Sequence, residues 1–252
     1  MPALVTLLTD FGTADGYVAE LKGVLLSSAP GIQVVDLSHD VEAARLAVAR
    51  YWRRFPPGTI HLVVVDPGVG SAREAIAVSS DGRFLVGPDN GVLSPALLLS
   101  GAQVVSLPVP ADAAPMFHGR DVFAPAVAAL ARGAPIESLG HPHDGPVVRR
   151  TPEVVCEPDG WLRGEVIVID RFGNAVTNLL AVHGGEVHIG LRSIPVRRTY
   201  ADVATGEAVA LVGSSGLVEI AVRDGSAAEQ LRITRGTPVR VLRHPSVSES
   251  GA

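Results

Sequence analysis

Along the first half of the chain, short apolar runs alternate with stretches whose apolar residues recur at helical spacing. The apolar runs are bounded by Gly, Pro and Asp and predict buried strands at Leu4–Thr9, Ile32–Leu37, Ile60–Val65, Ala75–Ser79 and Phe84–Val86. The amphipathic stretches predict helices at Tyr17–Ser28, Val41–Phe55, Val92–Leu99 and Val122–Leu130. This alternation favours an α/β fold with a largely parallel sheet.

The pattern changes after a segment rich in turn residues, Ala134–Pro146. Beyond it, short strands follow one another between turns, at Val154–Cys156, Trp161–Ile169, Glu186–Ile189, Arg192–Val196, Ala208–Leu211, Val218–Val222 and Val239–Leu242. Such a pattern is typical of an all-β barrel or sandwich. We therefore predict an α/β N-terminal domain over residues 1–146 and a barrel-like, all-β C-terminal domain over residues 147–252.

Composition and charge narrow the class of function. Of the 252 residues, 47% are hydrophobic and 19% are charged, which is ordinary for a globular protein. The formal net charge of −5 gives no electrostatic reason to bind nucleic acid or an anionic membrane. The chain opens without a basic segment and has no apolar run long enough to span a bilayer, so we expect a cytoplasmic protein. The single Cys156 excludes an internal disulfide and a Cys-rich zinc site.

Two aspartates stand where predicted strands end. Asp10 follows Leu4–Thr9, Asp66 follows Ile60–Val65, and a glycine comes two residues after each. The carboxyl ends of parallel strands meet at one edge of an α/β sheet, where ligands bind. Either aspartate alone could equally well cap a turn, but the two together predict a pair of carboxylates in one cleft.

The loop that follows Asp66 has the sequence Asp-Pro-Gly-Val-Gly-Ser-Ala-Arg and ends at Arg73. It lacks the Gly-Lys-Ser/Thr ending of a phosphate-binding loop and leads into no predicted helix. Its two glycines let the chain turn so that Arg73 returns toward Asp66. An arginine beside a carboxylate holds it ionised and fixes its direction.

Three histidines in polar surroundings are candidates for proton or metal chemistry. His118 precedes a predicted helix and could exchange a proton with water, because histidine titrates near neutral pH. Taken alone, His118 is explained more simply as a residue at the start of a helix that pairs with Asp121. His141 and His143 flank Pro142 in a segment rich in turn residues, which favours a solvated loop over a metal site.

Polar groups also follow a strand in the second half of the chain. Asp170 comes directly after Ile169, and Asn174 lies four residues further on. A carboxylate suits an ammonium group, and an amide offers the donor and acceptor that an adenine edge needs. The segment from Gly213 to Gly216 lacks the glycine spacing of a nucleophile elbow, so we interpret its Ser214 as a hydrogen-bonding group.

Seven blocks of sequence, in order over nearly the whole chain, match one known protein family. The blocks are LLTDFGTADGYVAELKGVL (7–25), VVDLSHDV (34–41), FPPGTIHLVVVDPGVGSAR (55–73), VGPDNGVLS (86–94), FHGRDVFAPA (117–126), IDRFGNAVTN (169–178) and GSSGLVEIAVRDGSAAE (213–229). Together they are highly specific. On these blocks the chain resembles the S-adenosylmethionine (SAM) hydrolases, also called SAM hydroxide adenosyltransferases, which are relatives of the bacterial fluorinase and chlorinase.

The resemblance implies an α/β domain followed by a β-barrel, SAM as a small-molecule substrate, and no cofactor or metal. It also implies a homotrimer whose active sites lie at subunit interfaces. The implied catalytic residues are Asp66, Arg73 and His118. The implied binding residues are Asp10 for the ribose hydroxyls, Asn174 and the backbone at Ala227 for adenine, Phe117 and Tyr200 around the nucleoside, and Asp170, Ser214 and Glu219 for the methionine portion.

The chain departs from the halogenases at informative positions. It has Asp66 and Val69 where the fluorinase has Tyr and Thr, and Gly119 where that enzyme has a halide-binding Ser. Ser215 replaces an Arg, which leaves open how the methionine carboxylate is anchored. Because a carboxylate repels a halide, we predict that activated water attacks the ribose C5′ of SAM and gives adenosine and methionine. The R-sulfonium epimer, preferred by some relatives, is a candidate substrate. The alternatives are a non-catalytic adenosine or SAM sensor and a SAM-dependent halogenase.

Overall fold

The computed structural model describes residues 2–39, 43–180 and 185–242. The chain divides into two compact units, Met1–Arg150 and Thr151–Ala252. The predicted domain boundary between residues 146 and 147 stays a prediction. Among the described helices, none combines the length and apolarity needed to cross a membrane.

A seven-stranded mixed sheet forms the centre of the first unit. In the order β2-β1-β3-β5-β4-β6-β7, its strands are β1 (Leu4–Thr9), β2 (Gln33–Ser38), β3 (Ile60–Val64), β4 (Ala75–Ser80), β5 (Arg83–Pro88), β6 (Gln103–Ser106) and β7 (His141–Pro142). The pairs β1–β2, β1–β3 and β3–β5 are parallel, whereas β4–β5, β4–β6 and β6–β7 are antiparallel. The prediction of a largely parallel sheet therefore holds for only half of the pairings.

The antiparallel part of the sheet begins at a tight hairpin. Asp81 and Gly82 alone connect β4 to β5, and both have positive φ angles, 47° and 69°. An Asp-Gly pair with this backbone conformation is typical of a two-residue hairpin turn. A two-residue connection can join only antiparallel neighbours, so this dipeptide sets the direction of β4.

Within the described part of this unit, four helices accompany the sheet: α1 (Tyr17–Ser28), α2 (Ala44–Tyr51), α3 (Ser94–Leu97) and α4 (Ala124–Ala131). The predicted helix from Val41 to Phe55 is shorter in the structure, because α2 is followed by a 3₁₀ turn at Trp52–Arg54; residues 41 and 42 lie outside the described ranges. A π-helical turn, Gly119–Phe123, precedes α4.

Apolar side chains cover both faces of this sheet. Successive strand residues point to opposite faces, and two separate buried clusters contain Leu7 and Leu62 on the one hand and Leu8 and Val63 on the other. Burial on both faces explains why these strands are continuous apolar runs in the sequence.

The second unit is an antiparallel, nearly closed, barrel-like sheet, as predicted. Its strand order is β12-β11-β15-β9-β10-β14-β13, and β8 pairs with β9. A bridge between Val196 and Ala210 joins the regions of β12 and β13, the two ends of this order. The elements are β8 (Val155–Cys156), β9 (Trp161–Ile169), β10 (Ala175–Leu180), β11 (Glu186–Ile189), β12 (Arg192–Pro195), β13 (Ala208–Val212), β14 (Leu217–Val222), α5 (Ala227–Leu231) and β15 (Pro238–Leu242).

His61 on β3 is a fully buried titratable group in the first unit. Its Nδ1 lies 2.7 Å from the hydroxyl of Thr6, and the rings of Tyr51 and Phe55 pack edge-on at 5.4 and 5.8 Å. Burial, and secondarily the positive charge of Arg83, lower the pKa of His61 to about 4. The folded protein therefore keeps this imidazole neutral in mild acid.

This burial predicts a pH-dependent loss of stability. As the pH falls from 6.5 to 4, the unfolded chain takes up a proton at His61 that the folded chain does not. The contribution of the neutral ring to the free energy of unfolding is therefore complete above pH 6.5, and about 3 kcal/mol of it is lost across that window. Between pH 6.5 and 4, the free energy of unfolding of the wild type should therefore fall by about 3 kcal/mol more than that of His61→Gln. Urea unfolding followed by Trp52 fluorescence in a Trp161→Phe background measures this difference, and equal pH slopes for the two proteins would contradict it.

Candidate active site

Asp66 and Arg73 form a nearly buried ion pair just beyond the end of β3. The side chain of Asp66 is 5% exposed and that of Arg73 is 9% exposed. Arg73 Nε donates to Asp66 Oδ1 at 3.0 Å, and Nη2 donates to Oδ2. Because two parallel hydrogen bonds join the planar groups, the orientation of the carboxylate is fixed.

The loop between the two residues folds back on itself through local hydrogen bonds. The carbonyl oxygen of Gly68 accepts from the backbone N–H of Ser71 at 3.1 Å and from its hydroxyl at 2.7 Å. Gly70 has a φ of 77°, in the left-handed region that favours glycine. These turns reverse the chain and return Arg73 to Asp66.

Arg73 also contacts the imidazole of His118, with Nη2 3.1 Å from Nδ1. A guanidinium nitrogen can only donate, so Nδ1 is the acceptor and the proton of the neutral ring lies on Nε2. Burial, and then the charge of Arg73, lower the pKa of His118 below 6.5, against the opposite effect of Asp66 and Asp121. At neutral pH, His118 is therefore a neutral hydrogen-bond donor through Nε2.

The hydrogen bonds of Asp121 run elsewhere, so the simpler interpretation of His118 as its partner is wrong. The carboxylate of Asp121 accepts from the backbone N–H of Ala114 at 2.8 Å and from Arg120 Nε at 2.6 Å. Arg120 also reaches Glu20 on α1 at 2.9 Å, and its guanidinium lies 4.9 Å from the centre of the Phe117 ring. This network ties the segment before His118 to α1.

Gly119 opens the π-helical turn directly after His118 and is buried. A Cβ at this position would lie 3.1 Å from Leu21, 3.2 Å from Val64 and 3.3 Å from Phe11. A side chain here would therefore require its neighbours to move. Widened turns of this kind are frequent at functional sites.

Asp10 lies close enough to Asp66 for the two charges to interact. The pKa of Asp10 is raised above 3.8, first by burial and then by the negative charge of Asp66, while backbone hydrogen bonds partly offset both. The structure thus brings together the two aspartates that the sequence places at strand ends. Their roles stay predictions.

Three aromatic rings lie beside these groups. Phe117 is 5.5 Å from Tyr17 and 5.8 Å from Phe11, and Phe11 is 6.3 Å from Tyr17, all edge-to-face. The sequence analysis named Phe117 and missed the other two. Both occur in the 7–25 block beside Asp10, which is the signal that could have found them.

In the second unit, Asp170 closes the turn between β9 and β10. Its Oδ1 accepts the backbone N–H groups of Phe172 at 2.8 Å and Asn174 at 2.9 Å, and its Oδ2 accepts the side-chain amide of Asn174 at 3.0 Å. The carboxylate thus organises its own turn, and one amide N–H of Asn174 is engaged inside the protein.

The same turn contacts the start of α5. Gly173, with a φ of 81°, packs so closely on Ser226 that no Cβ would fit, and its carbonyl accepts from the N–H of Ala228 at 2.9 Å. Ala227 begins α5 and is buried. Its N–H belongs to the first helical turn, where backbone donors have no partner within the helix. Asn174 and Ala227 therefore lie on adjoining segments.

Tyr200 and Glu219 form a second polar pair in this unit. The hydroxyl of Tyr200 donates to Glu219 Oε1 at 2.6 Å. Burial, the bond to Glu219 and the charges of Glu219 and Asp170 raise the pKa of Tyr200 above 10. Gly213, where the turn containing Ser214 begins, lies against Glu219, since a Cβ there would be 2.8 Å from Oε2.

The histidines predicted to lie in a solvated loop are ordered by the sheet. His141 belongs to β7, which pairs with β6, and His143 Nε2 lies 3.1 Å from the buried carboxylate of Asp89. The prediction of a loop is wrong here because backbone pairing continues past Pro142, but His141 is exposed to solvent as predicted. In the part of the chain that the structure describes, no group of three or more His, Cys, Asp or Glu is placed to hold a metal.

Comparison with known proteins identifies the family to which the chain belongs. The sequence profile of the SAM hydroxide adenosyltransferase N-terminal domain matches residues 5–140, and that of the C-terminal domain matches residues 164–240. A protein of Thermus thermophilus named (R)-S-adenosyl-L-methionine hydrolase is 45% identical over 94% of this chain and 99% of its own length. A protein of the same name from Salinispora tropica is 38% identical over 94% and 97%.

More distant relatives and solved structures extend the likeness. A fluorinase of Actinopolyspora mzabensis is 31% identical over 95% of this chain and 97% of its own length. The crystal structure of an uncharacterized conserved protein from Thermotoga maritima superposes with a TM-score of 0.84 at 31% identity, covering 95% of this chain and all of that one. The chain belongs to the SAM hydroxide adenosyltransferase family.

Proposed function

We propose that this chain hydrolyses (R)-S-adenosyl-L-methionine to adenosine and L-methionine. The observation that carries the proposal is the convergence of Asp66 and His118 on one guanidinium, that of Arg73. A sensor that only binds its ligand has no need of such a group. Relatives that share nearly their full length with this chain are named for the same reaction.

In the proposed reaction, a water oxygen bonds to C5′ as the C5′–S bond breaks, and the electron pair goes to sulfur. The leaving group changes from a sulfonium to a neutral thioether, so no acid is needed there. Asp66 accepts a proton of the water and passes it to solvent. His118 donates from Nε2 to the water oxygen, and Arg73 holds both partners in place.

Placement contributes more to this chemistry than proton transfer does. Aligning water with C5′ and sulfur is worth up to roughly 7–11 kcal/mol. Assistance by a base contributes about a hundred- to ten-thousandfold, or roughly 3–5 kcal/mol. The rigid, nearly buried pair of Asp66 and Arg73 is suited to the larger of these two contributions, the alignment of the water.

The remaining predicted residues bind the substrate around this centre. Asp10 on the α/β domain, residues 1–146, holds the ribose hydroxyls, and Phe117 packs on the nucleoside. A homotrimer with active sites at subunit interfaces brings in the C-terminal domain of a neighbouring subunit. From that domain Asn174 and the backbone of Ala227 contact adenine, Tyr200 packs on the nucleoside, and Asp170, Ser214 and Glu219 hold the methionine portion.

Water is favoured over a halide as the nucleophile. The carboxylate of Asp66 repels an anion, and Gly119 has no hydroxyl to bind one. The tight packing around Gly119 also resists a serine at that position.

Replacing Asp66 by Asn should abolish most turnover and retain adenosine binding. The amide keeps the shape of the carboxylate but cannot accept the proton, so we expect kcat to fall by about a hundred- to ten-thousandfold. Chromatographic assay of adenosine release gives kcat, and calorimetry gives adenosine affinity.

Asp81→Asn is the matched control for this experiment. Asp81 also pairs with arginines, Arg53 and Arg83, but it lies at the opposite edge of the sheet, where β5 begins. Its replacement should leave kcat within about threefold of the wild type. Near-normal turnover by Asp66→Asn would overturn the proposed role of the carboxylate.

Isotope labelling identifies the attacking atom and the bond that breaks. Turnover in ¹⁸O-water should place the label in the 5′-hydroxyl of adenosine, and added chloride should yield no 5′-chloroadenosine. Mass spectrometry of the products measures both. Label in methionine, or a chlorinated nucleoside, would refute hydrolysis at C5′.

The tautomer of His118 predicts an acid limb in the pH profile. Protonation puts a hydrogen on Nδ1 and breaks its contact with Arg73, so kcat should be constant above pH 6.5 and fall below it, with an apparent pKa under 6.5. His118→Asn should have lower activity and lack this limb. An identical limb in the variant would assign it to another group.

A further inference from the structure

A chain of hydrogen bonds that the proposed reaction does not use ends at the loop carrying Asp10. On β2, Asp36 receives hydrogen bonds from Lys22 and from His39, whose Nε2 lies 3.1 Å from Oδ1. The other ring nitrogen of His39, Nδ1, lies 2.8 Å from the hydroxyl of Thr9, the last residue of β1. This series of hydrogen bonds thus crosses from the end of β2 to the end of the neighbouring strand β1.

The chemistry of these groups fixes the direction of each bond. The carboxylate of Asp36 can only accept, so in the neutral form of the His39 ring the proton lies on Nε2 and Nδ1 is an acceptor. The hydroxyl of Thr9 therefore donates to Nδ1. Its oxygen is then turned toward the backbone N–H of Phe11, from which it accepts at 3.4 Å.

A second contact joins His39 to the same loop. The backbone N–H of Gly12 donates to the carbonyl oxygen of His39 at 2.7 Å. The ring and the backbone of His39 thus hold the loop on both sides of Asp10, through Thr9 before it and Gly12 after it. Asp10 itself is exposed, and backbone groups of Asp10 and Asp66 hydrogen-bond to its carboxylate.

The side chain of His39 is 8% exposed, far less than the 44% of Asp36. Burial alone raises the pKa of Asp36, but the hydrogen bonds from Lys22 and His39 and the positive charge of Lys22 lower it below 3.8. The hydrogen bonds therefore begin at a solvated ion pair between Lys22 and Asp36, whereas the contact of His39 with Thr9 is shielded from water. Hydrogen bonds gain strength in such shielded surroundings, so the inner contact is the one that constrains the loop.

We propose that His39 is a positioning residue for the ribose subsite: its ring and carbonyl hold the Thr9–Gly12 loop so that Asp10 meets the ribose hydroxyls. The proposal rests on the proposed function, which assigns those hydroxyls to Asp10. His39 touches no substrate in this scheme. Its removal leaves Asp66, Arg73 and His118 unchanged and affects ribose binding through Asp10.

Adenosine and 2′,3′-dideoxyadenosine separate positioning from folding, because only the first carries the hydroxyls. His39→Phe keeps a ring of similar size and removes both nitrogens. It should bind adenosine about tenfold more weakly and dideoxyadenosine within twofold of the wild type, by calorimetry. With SAM, KM should rise about tenfold and kcat should change little, as expected when uniform binding is lost.

Two further variants test the inner contact. His39→Asn places an amide oxygen near the position of Nδ1 and should recover most of the adenosine affinity. Thr9→Val removes the hydroxyl that contacts His39. Combining it with His39→Phe should weaken adenosine binding no more than either change alone, since both changes break the same contact. His188→Phe, an identical substitution at a His beside a carboxylate in the second unit, is the control and should bind both nucleosides normally.

The outcomes distinguish this inference from the proposed function. Equal losses for both nucleosides, or wild-type affinity of His39→Phe for adenosine, would overturn the positioning role and leave hydrolysis standing. A wild-type protein that binds adenosine no better than dideoxyadenosine would contradict the ribose role of Asp10, and the role of His39 with it. A wild type that neither binds adenosine nor consumes SAM would overturn the proposed function itself.

Discussion

The geometry of the candidate centre depends on one guanidinium. Arg73 joins a nearly buried carboxylate to an imidazole, and it can act only as a donor to both. This single constraint orients Asp66, gives His118 its acceptor at Nδ1 and leaves the imidazole proton on Nε2. Removing one partner of a buried ion pair typically costs about 3–5 kcal/mol, so the same interaction contributes to the stability of the fold and to the proposed chemistry.

The first unit brings these groups together from distant parts of the sequence by simple means. Asp10 and Asp66 follow the adjacent parallel strands β1 and β3, whose carboxyl ends lie at the same edge of the sheet. The loop after β3 turns back to return Arg73, and the π-helical turn after His118 packs its glycine against α1 and β3. Two apolar faces hold the strands rigidly, so the polar groups at their ends are fixed to within the movement of short loops.

Regular features of the first unit follow from the sequence because local patterns determine them. The bounds of β1 and α1 agree with apolar periodicity and with the glycines and prolines that flank them. The direction of β4 was missed because it depends on the dipeptide Asp81-Gly82 rather than on periodicity. β10 was missed because its run contains Thr177 and Asn178, polar residues that are buried by bonding to the backbone of other segments.

The partners of the site residues were harder to infer, since they depend on tertiary contacts. The spacing of the 66–73 loop indicated that Arg73 returns to Asp66, but the sequence offered Asp121 as the nearest partner of His118, when the partner is Arg73, 45 positions away. For an aspartate at the end of a strand, the sequence allows either a turn cap or a ligand-binding group. The carboxylate of Asp170 caps its own turn, and it does so beside groups that are predicted to bind substrate. His39 lies in the 34–41 block, but its contacts with Thr9 and Gly12 depend on the pairing of β1 with β2 and could not be inferred from the sequence.

A crystal structure of the protein with adenosine tests the central claim most directly. The account predicts that the 5′-oxygen, which stands where the attacking water was, lies within about 3.2 Å of both an Asp66 carboxylate oxygen and His118 Nε2, with Arg73 still bonded to both residues. A bound adenosine whose 5′-oxygen faces away from these groups in every subunit would contradict it.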